Sequence, residues 1–291
     1  MGLVLNIIIS GLISGSVFAL LAIGFSLIFG VARIVNIAHT AFYMVAAYCI
    51  YFATHKMGFH PIWGMVAAIV LVTLLGIISY KLLINPIREH EGAVLIATIA
   101  LAMAFQEIMT LIFTGTYLSV PSLVKGYLVI LGVKVFYQQI LTFCMALLIL
   151  ALLRVLLMKT KLGLAIRSTA QDKEVANLMG IDEARVAMIT MGISVGLAAF
   201  TGAVVVPLAV LEPGMWMHPL IMMMAVVVLG GLGSLKGSFI GASILGFAEA
   251  LVVFLAPMGA FLKGSVALSI MILVLLIRPE GLFGVSFEEE R

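Results

Sequence analysis

The chain has 291 residues, of which 64% are hydrophobic and only 10% charged, and its mean hydropathy is +1.29. A soluble domain carries roughly a quarter charged residues, so a water-soluble fold is excluded. The formal net charge is only +3, and the basic residues are scattered between apolar runs with no stripe that could follow a phosphate backbone, which argues against nucleic acid as a partner.

The N-terminal residues Met1 to Asn6 lack a basic n-region, and Asn6 stands where a myristoylation signal needs Ser or Thr, so the first apolar run reads as a permanent helix. A helical span takes about 20 apolar residues, and only helices or closed barrels satisfy their own backbone in lipid. The runs here are too long for barrel strands. They fall at 6–30, 38–54, 62–84, 93–113, 137–158, 185–210, 218–232, 237–255 and 262–277. The expected fold is an all-α membrane protein: one transmembrane domain over 1–291, a polytopic bundle of eight or nine spans.

In the first span Gly11, Gly15 and Ala19 recur at every fourth position, the spacing of close helix packing; Gly192 and Gly196 repeat it in the sixth span, Gly237 and Gly241 in the eighth. Few ionisable residues interrupt the spans. Arg154 can snorkel to an interface. Glu107, beside Gln106, and Glu249 stand deeper; substrate contact, proton relay or helix-to-helix hydrogen bonding are all open for them. Cys49 and Cys144 sit in apolar runs as buried small residues and offer no disulfide framework.

The longest polar stretch between spans is KTKLGLAIRSTAQDKEVANLMGIDEAR, whose loop occupies 159–182. Thr169 followed three residues later by Asp172 has capping-box spacing. Ala170, Val175, Ala176 and Met179 recur at helical spacing, with Gly180 as a stop. The expectation is one short amphipathic helix over 169–179. It could lie on lipid headgroups, but Asp172, Glu174, Asp182 and Glu183 balance its positive charge and favour a protein partner.

Leu229-Gly230-Gly231-Leu232-Gly233-Ser234-Leu235-Lys236-Gly237 breaks the apolar pattern. Discontinuous half-spans near 218–255 and a tight hairpin are both open readings, and the first would mark a transport path. The cluster lacks the Gly-Lys-Ser/Thr ending of a phosphate loop, and His39, His55, His60, His90 and His218 are dispersed, so nucleotide, metal and other cofactors are not expected on this chain. With the N-terminus outside, Lys56, Lys125, Lys134 and Lys263 fall on the outer side and the other Lys and Arg residues on the inner side, favouring N-out and C-in.

Four patches in order resemble the branched-chain (hydrophobic) amino-acid ABC transporter permeases, in particular the shorter of their two permease types. They are Gly11 to Leu20 leading to Asn36-Ile37-Ala38-His39; Gly163 to Arg167 through Asp172, Ala176 and Gly180-Ile181; Gly230-Gly231-Leu232-Gly233-Ser234 with Gly237 and Gly241; and Arg278-Pro279-Glu280-Gly281-Leu282-Phe283-Gly284. After His39 the family often has Gly and an acidic residue, whereas this chain has Thr40-Ala41.

The resemblance implies an importer subunit of the bacterial cytoplasmic membrane. Its partners would be a second homologous permease, two cytoplasmic ATPases docked on the coupling loops, an extracytoplasmic solute-binding protein and membrane lipid. Gly163, Arg167, Thr169, Asp172, Ala176 and Gly180 would then couple to the ATPase. Asn36, His39, Glu107, Gly230, Gly231, Gly233 and Glu249 are the candidates for the path or gate. Branched-chain amino acids are the default solute, with urea, small amides and aromatic compounds carried by relatives. The rival is an ion-coupled secondary transporter, for which Glu107 and Glu249 would serve.

Overall fold

The computed structural model describes residues 2–283; Met1, Gly284 of the closing motif and Arg291 of the charge argument lie outside them. The nine apolar segments all form helices, with two more in the polar loop. They are α1 (Gly2–Ala32), α2 (His39–Tyr51), α3 (Pro61–Ser79), α4 (Glu91–Phe113), α5 (Tyr137–Lys159), α6 (Lys161–Gln171), α7 (Lys173–Leu178), α8 (Glu183–Val205), α9 (Met217–Gly230), α10 (Leu235–Leu255) and α11 (Gly259–Ile277). Seven are long and apolar enough to cross a membrane; α9, with 14 residues, is shorter, and α2 has 13 before a π-helical turn carries it to Lys56. The protein is a polytopic all-α bundle.

Burial sorts these helices into a centre and a rim. The apolar windows of α1 and α8 are 72% buried, those of α4 and α5 only 22% and 28%, and that of α11 6%. Nearly every residue of α2 is buried, as expected of a helix that is apolar all round. On α3, Gly64, Ala68, Val72 and Gly76 face inward while Val66, Val70, Leu74 and Ile78 are exposed. Small residues inside and large ones outside is the packing of a helix in lipid, where close backbone approach does the work that burial does in water.

The tightest pair is α1 with α10. Any Cβ at Gly246 would collide with Gly15, and any at Gly11 with Phe247. Ser26 and Ser238 join the two helices through a buried 2.6 Å hydrogen bond. The small residues at Gly11, Gly15 and Gly246 are therefore contact points between the α1 and α10 backbones, while Gly241 packs against α9. Cys144, expected to be buried, is exposed on α5, and Cys49 is half-buried: α5 lies on the rim, and a small side chain in an apolar run carries no signal of which face it takes.

One feature lies beyond the sequence expectation: Tyr127–Ile130 (β1) and Val133–Phe136 (β2) form an antiparallel hairpin between α4 and α5. Leu131 and Gly132 both have positive φ, as the tight turn of such a hairpin requires. Gly2 of α1 lies against Val133, so this hairpin marks the side of the bundle where α1 begins. The α6–α7 loop marks the other side.

Candidate functional site

The polar loop is built differently from the single helix expected over 169–179. Thr160 accepts a hydrogen bond from Gly163 N–H at 3.0 Å and starts α6, nine residues before the expected cap. Asp172 has extended backbone, ends α6 and starts α7, its Oδ1 accepting from Val175 N–H at 3.0 Å. Thr169 is thus no cap; it lies buried inside α6. The break arises because Asp172 competes with the helix for its own backbone donors. Gly180, with φ of +83°, ends α7, and Ile181 N–H returns to Ala176 O, the left-handed helix stop that glycine accepts without strain.

The loop has two faces. Gly163, Ile166, Thr169 and Ala176 are buried against the bundle, and Gly163 sits where a Cβ would strike the Leu156 and Leu157 carbonyls of α5. Leu164, Val175, Leu178 and Met179 are exposed, the last two at 86% and 79%, with Arg167 and Asp172 exposed among them. Large apolar side chains on a polar loop beyond the ends of the spans form a surface suited to a protein partner.

The same loop grips the end of α1. Lys173 Nζ donates to Ala32 O at 3.2 Å, and Arg33 Nη2 donates to Ala170 O at 3.3 Å. A cation on the last carbonyls of a helix is favoured by its dipole. Burial lowers the Lys173 pKa, with Arg33 and Arg88 lowering it further while Glu183 opposes them. Arg88 in turn pairs with Glu183 at 3.0 Å, tying the end of the third span to the start of α8. Ala170 and Gly233 both approach Gly30 of α1, and a cleft of about 290 Å³ lies between α1, α6 and the α9–α10 turn.

That turn carries the predicted glycines. Gly230 lies in backbone contact with Gly237, and Gly233 lies beside Gly30. Ser234 caps α10 through Gly237 N–H at 3.1 Å. The α9–α10 unit is a hairpin with a short α9 and an α10 of 21 residues, rather than two half-spans. The closing motif comes to the same place: Leu282 N–H donates to Leu229 O at 2.8 Å and Phe283 N–H to Gly230 O at 3.1 Å. Its backbone thereby caps the open carbonyls at the end of α9. Gly281, with φ of +78°, presses on Val228 and Gly231 where a side chain has no room.

Asn36 and His39 are fully buried at the break between α1 and α2, so irregular backbone is enclosed by protein at the depth of the bundle, the setting in which it is tolerated. Asn36 Nδ2 contacts Met191 Sδ at 3.7 Å, His39 Nδ1 shares a 3.3 Å hydrogen bond with Ser194, and Ile37 N–H donates to Thr98 at 3.3 Å. Asn36 Oδ1, His39 Nε2, Thr40 Oγ1 and Thr190 Oγ1 have no partner among the described residues. Thr98, Thr190 and Ser194 carry no sequence signal of their own, because helix periodicity cannot say which threonine or serine faces which neighbour.

Glu107 and Glu249 part company. Glu107 is on the exposed face of α4, while its neighbour Gln106 accepts from Trp216 Nε1 at 2.8 Å and holds α4 to the start of α9. Glu249 is 5% exposed and pairs with Lys263 of α11 at 2.9 Å. Asn36 and His39 therefore share one place, while Glu107, Glu249 and the glycine turn each lie elsewhere, so the candidates do not form one site.

Seven helices long and apolar enough to cross a membrane, two shorter apolar ones among them, a small-residue interior and a docked polar loop on one side define a multi-pass permease-like membrane protein. The chain belongs to the family described as branched-chain amino acid transport system / permease component, which matches residues 7–276. It is 31% identical, over 95% of its length and 94% of the relative's, to the high-affinity branched-chain amino acid transport system permease protein BraD of Pseudomonas aeruginosa. It is 29% identical to LivH, the corresponding permease protein of Escherichia coli, over 94% of each chain. Among solved structures, PsaBC from Streptococcus pneumoniae in complex with Fab covers 93% of this chain, with 91% of its own covered, at a TM-score of 0.53 and 16% identity, a likeness of fold alone.

Proposed function

We propose that this chain is the membrane permease subunit of an ATP-binding-cassette importer that carries branched-chain or other hydrophobic amino acids, or related small amides, across the cytoplasmic membrane, powered by ATPases on separate chains. The observation that carries the ATPase reading is the outward apolar face of α6 and α7, centred on Leu178 and Met179, on a loop fastened to α1. A partner that moves this loop moves the end of α1 and the cleft beside the α9–α10 turn, which is the lever that alternating access requires. A second homologous permease and an extracytoplasmic binding protein complete the assembly. The loop side faces the cytoplasm in this reading, with the N-terminus outside.

The unpartnered atoms around Asn36, His39, Thr40 and Thr190 are where we place polar contacts of the path, since a solute with an ammonium and a carboxylate needs donors and acceptors at membrane depth. An ion-coupled carrier has less to work with: Glu249 is neutralised by Lys263, and Glu107 points out of the bundle.

The test is purification from native membranes in mild detergent, comparing the natural chain with Leu178→Glu/Met179→Glu. Stoichiometric ATPase subunits should accompany the first and be lost from the second, with uptake lost alongside. A double variant that keeps both its ATPases and ATP-driven uptake would sink the proposal.

A further inference from the structure

The β1–β2 hairpin has a composition that neither water nor the bundle interior accounts for. All four residues of β1 are exposed, Tyr127 at 48% and Val129 at 56%; Leu131 at the turn is 65% exposed and Phe136 on β2 52%. Only Val133 and Val135 on the opposite face are buried. The outward face thus gathers Tyr127, Val129 and Phe136, the first and last in edge contact with ring centroids 6.2 Å apart. Lys134 Nζ lies 4.9 Å from the centre of the Tyr127 ring, its ammonium over the ring face on the exposed side of the hairpin. Lys125 stands exposed at the foot of the hairpin, and no Asp or Glu occurs between Glu107 and Asp172.

Two physical demands conflict on this surface. The apolar side chains favour leaving water. Yet β1 is an edge strand, and its unpaired backbone groups cannot enter hydrocarbon without partners. The boundary between lipid headgroups and acyl chains meets both demands, since it offers apolar volume beside water and phosphate. Tyrosine and lysine around an aliphatic tip are the composition that membrane proteins place at that depth. The hairpin also leads directly into α5, which starts at Tyr137 and lies on the exposed rim of the bundle.

We propose that the β1–β2 hairpin lies in the membrane interface on the side opposite the α6–α7 loop, with Val129 and Leu131 at the top of the acyl chains and Lys125 and Lys134 on lipid phosphates. It is a lipid-anchored brace for the start of α1, which it touches at Gly2.

The test uses the full chain in lipid nanodiscs with Cys49 and Cys144 replaced and an environment-sensitive fluorophore on Val129→Cys. Emission should be blue-shifted, strongly quenched by lipids carrying a nitroxide high on the acyl chain, and weakly quenched by aqueous iodide. Adding anionic lipid should deepen the nitroxide quenching, and Lys125→Gln/Lys134→Gln should remove that increment. Dominant iodide quenching would place the hairpin in water and overturn the proposal. So would protection from both quenchers, which would mean that protein covers it. The same label on exposed Leu111 of α4 reports whether the chain is folded and inserted in each sample.

Discussion

Gly246 and Gly264 are both helix glycines, yet they should respond oppositely to a single methyl group. The Cβ of Gly246→Ala would run into Gly15 of α1, whereas the space around Gly264 is open. Overpacking of this kind costs about 1–3 kcal/mol, so Gly246→Ala should lower the thermal midpoint in detergent while Gly264→Ala leaves it unchanged; equal midpoints would show that α1 and α10 are not so closely apposed. The Glu249–Lys263 pair offers a second asymmetry. Removing the lysine strands a carboxylate that is only 6% exposed, while removing the carboxylate leaves a lysine that is 35% exposed and able to reach the interface. Lys263→Met should therefore destabilise by about 2–4 kcal/mol, less than the full cost of breaking a wholly buried pair. Glu249→Gln should cost less, and the double variant should recover most of the loss, as a double-mutant cycle of thermal stability would read out.

At the scale of elements, the apolar helices were legible because runs of 15 to 30 apolar residues leave the backbone no alternative in lipid. Their ends shifted by only a few residues: the run at 262–277 became Gly259–Ile277, and 185–210 became Glu183–Val205 with a short 3-10 turn after it. The polar loop was half legible. Gly180 stops the helix as its sequence suggests, but the helix starts at Thr160, not Thr169, and Asp172 opens a second helix where the capping-box spacing has it complete the first cap. Asp172→Ala should consequently cost about 1 kcal/mol, seen as faster amide exchange in Lys173 to Leu178, with α6 unchanged; exchange that also quickened across α6 would mean a single helix after all. The hairpin was invisible in advance because a strand pair of four residues each, YLVI and VKVF, differs little in hydropathy from the helices beside it.

For the whole molecule, Gly2 lies near the hairpin and Leu282 near the α6–α7 side, so the described residues begin and end on opposite faces of the bundle. With native cysteines replaced, Leu178→Cys should react with an impermeant maleimide only after permeabilisation. Labelling of Leu178→Cys in intact cells would invert the topology. Of the candidate path, burial of Asn36 and His39 could be anticipated from polar residues within an apolar region, but their neighbours could not, since Thr98, Thr190 and Ser194 come from helices far apart in the chain.

The contact of the closing motif with α9 also bears on how the protein is made. The carbonyls of Leu229 and Gly230 wait for Leu282 and Phe283, residues that leave the ribosome some fifty positions later. Until then the end of α9 is an unfinished helix, and the α9–α10 turn beside α1 lacks the segment that holds it. The segment after α11 therefore closes the α9–α10 turn only once every described helix has been made. Chains stopped before Leu282 should leave the end of α9 uncapped and be cut at that turn more readily than the full chain in limited proteolysis.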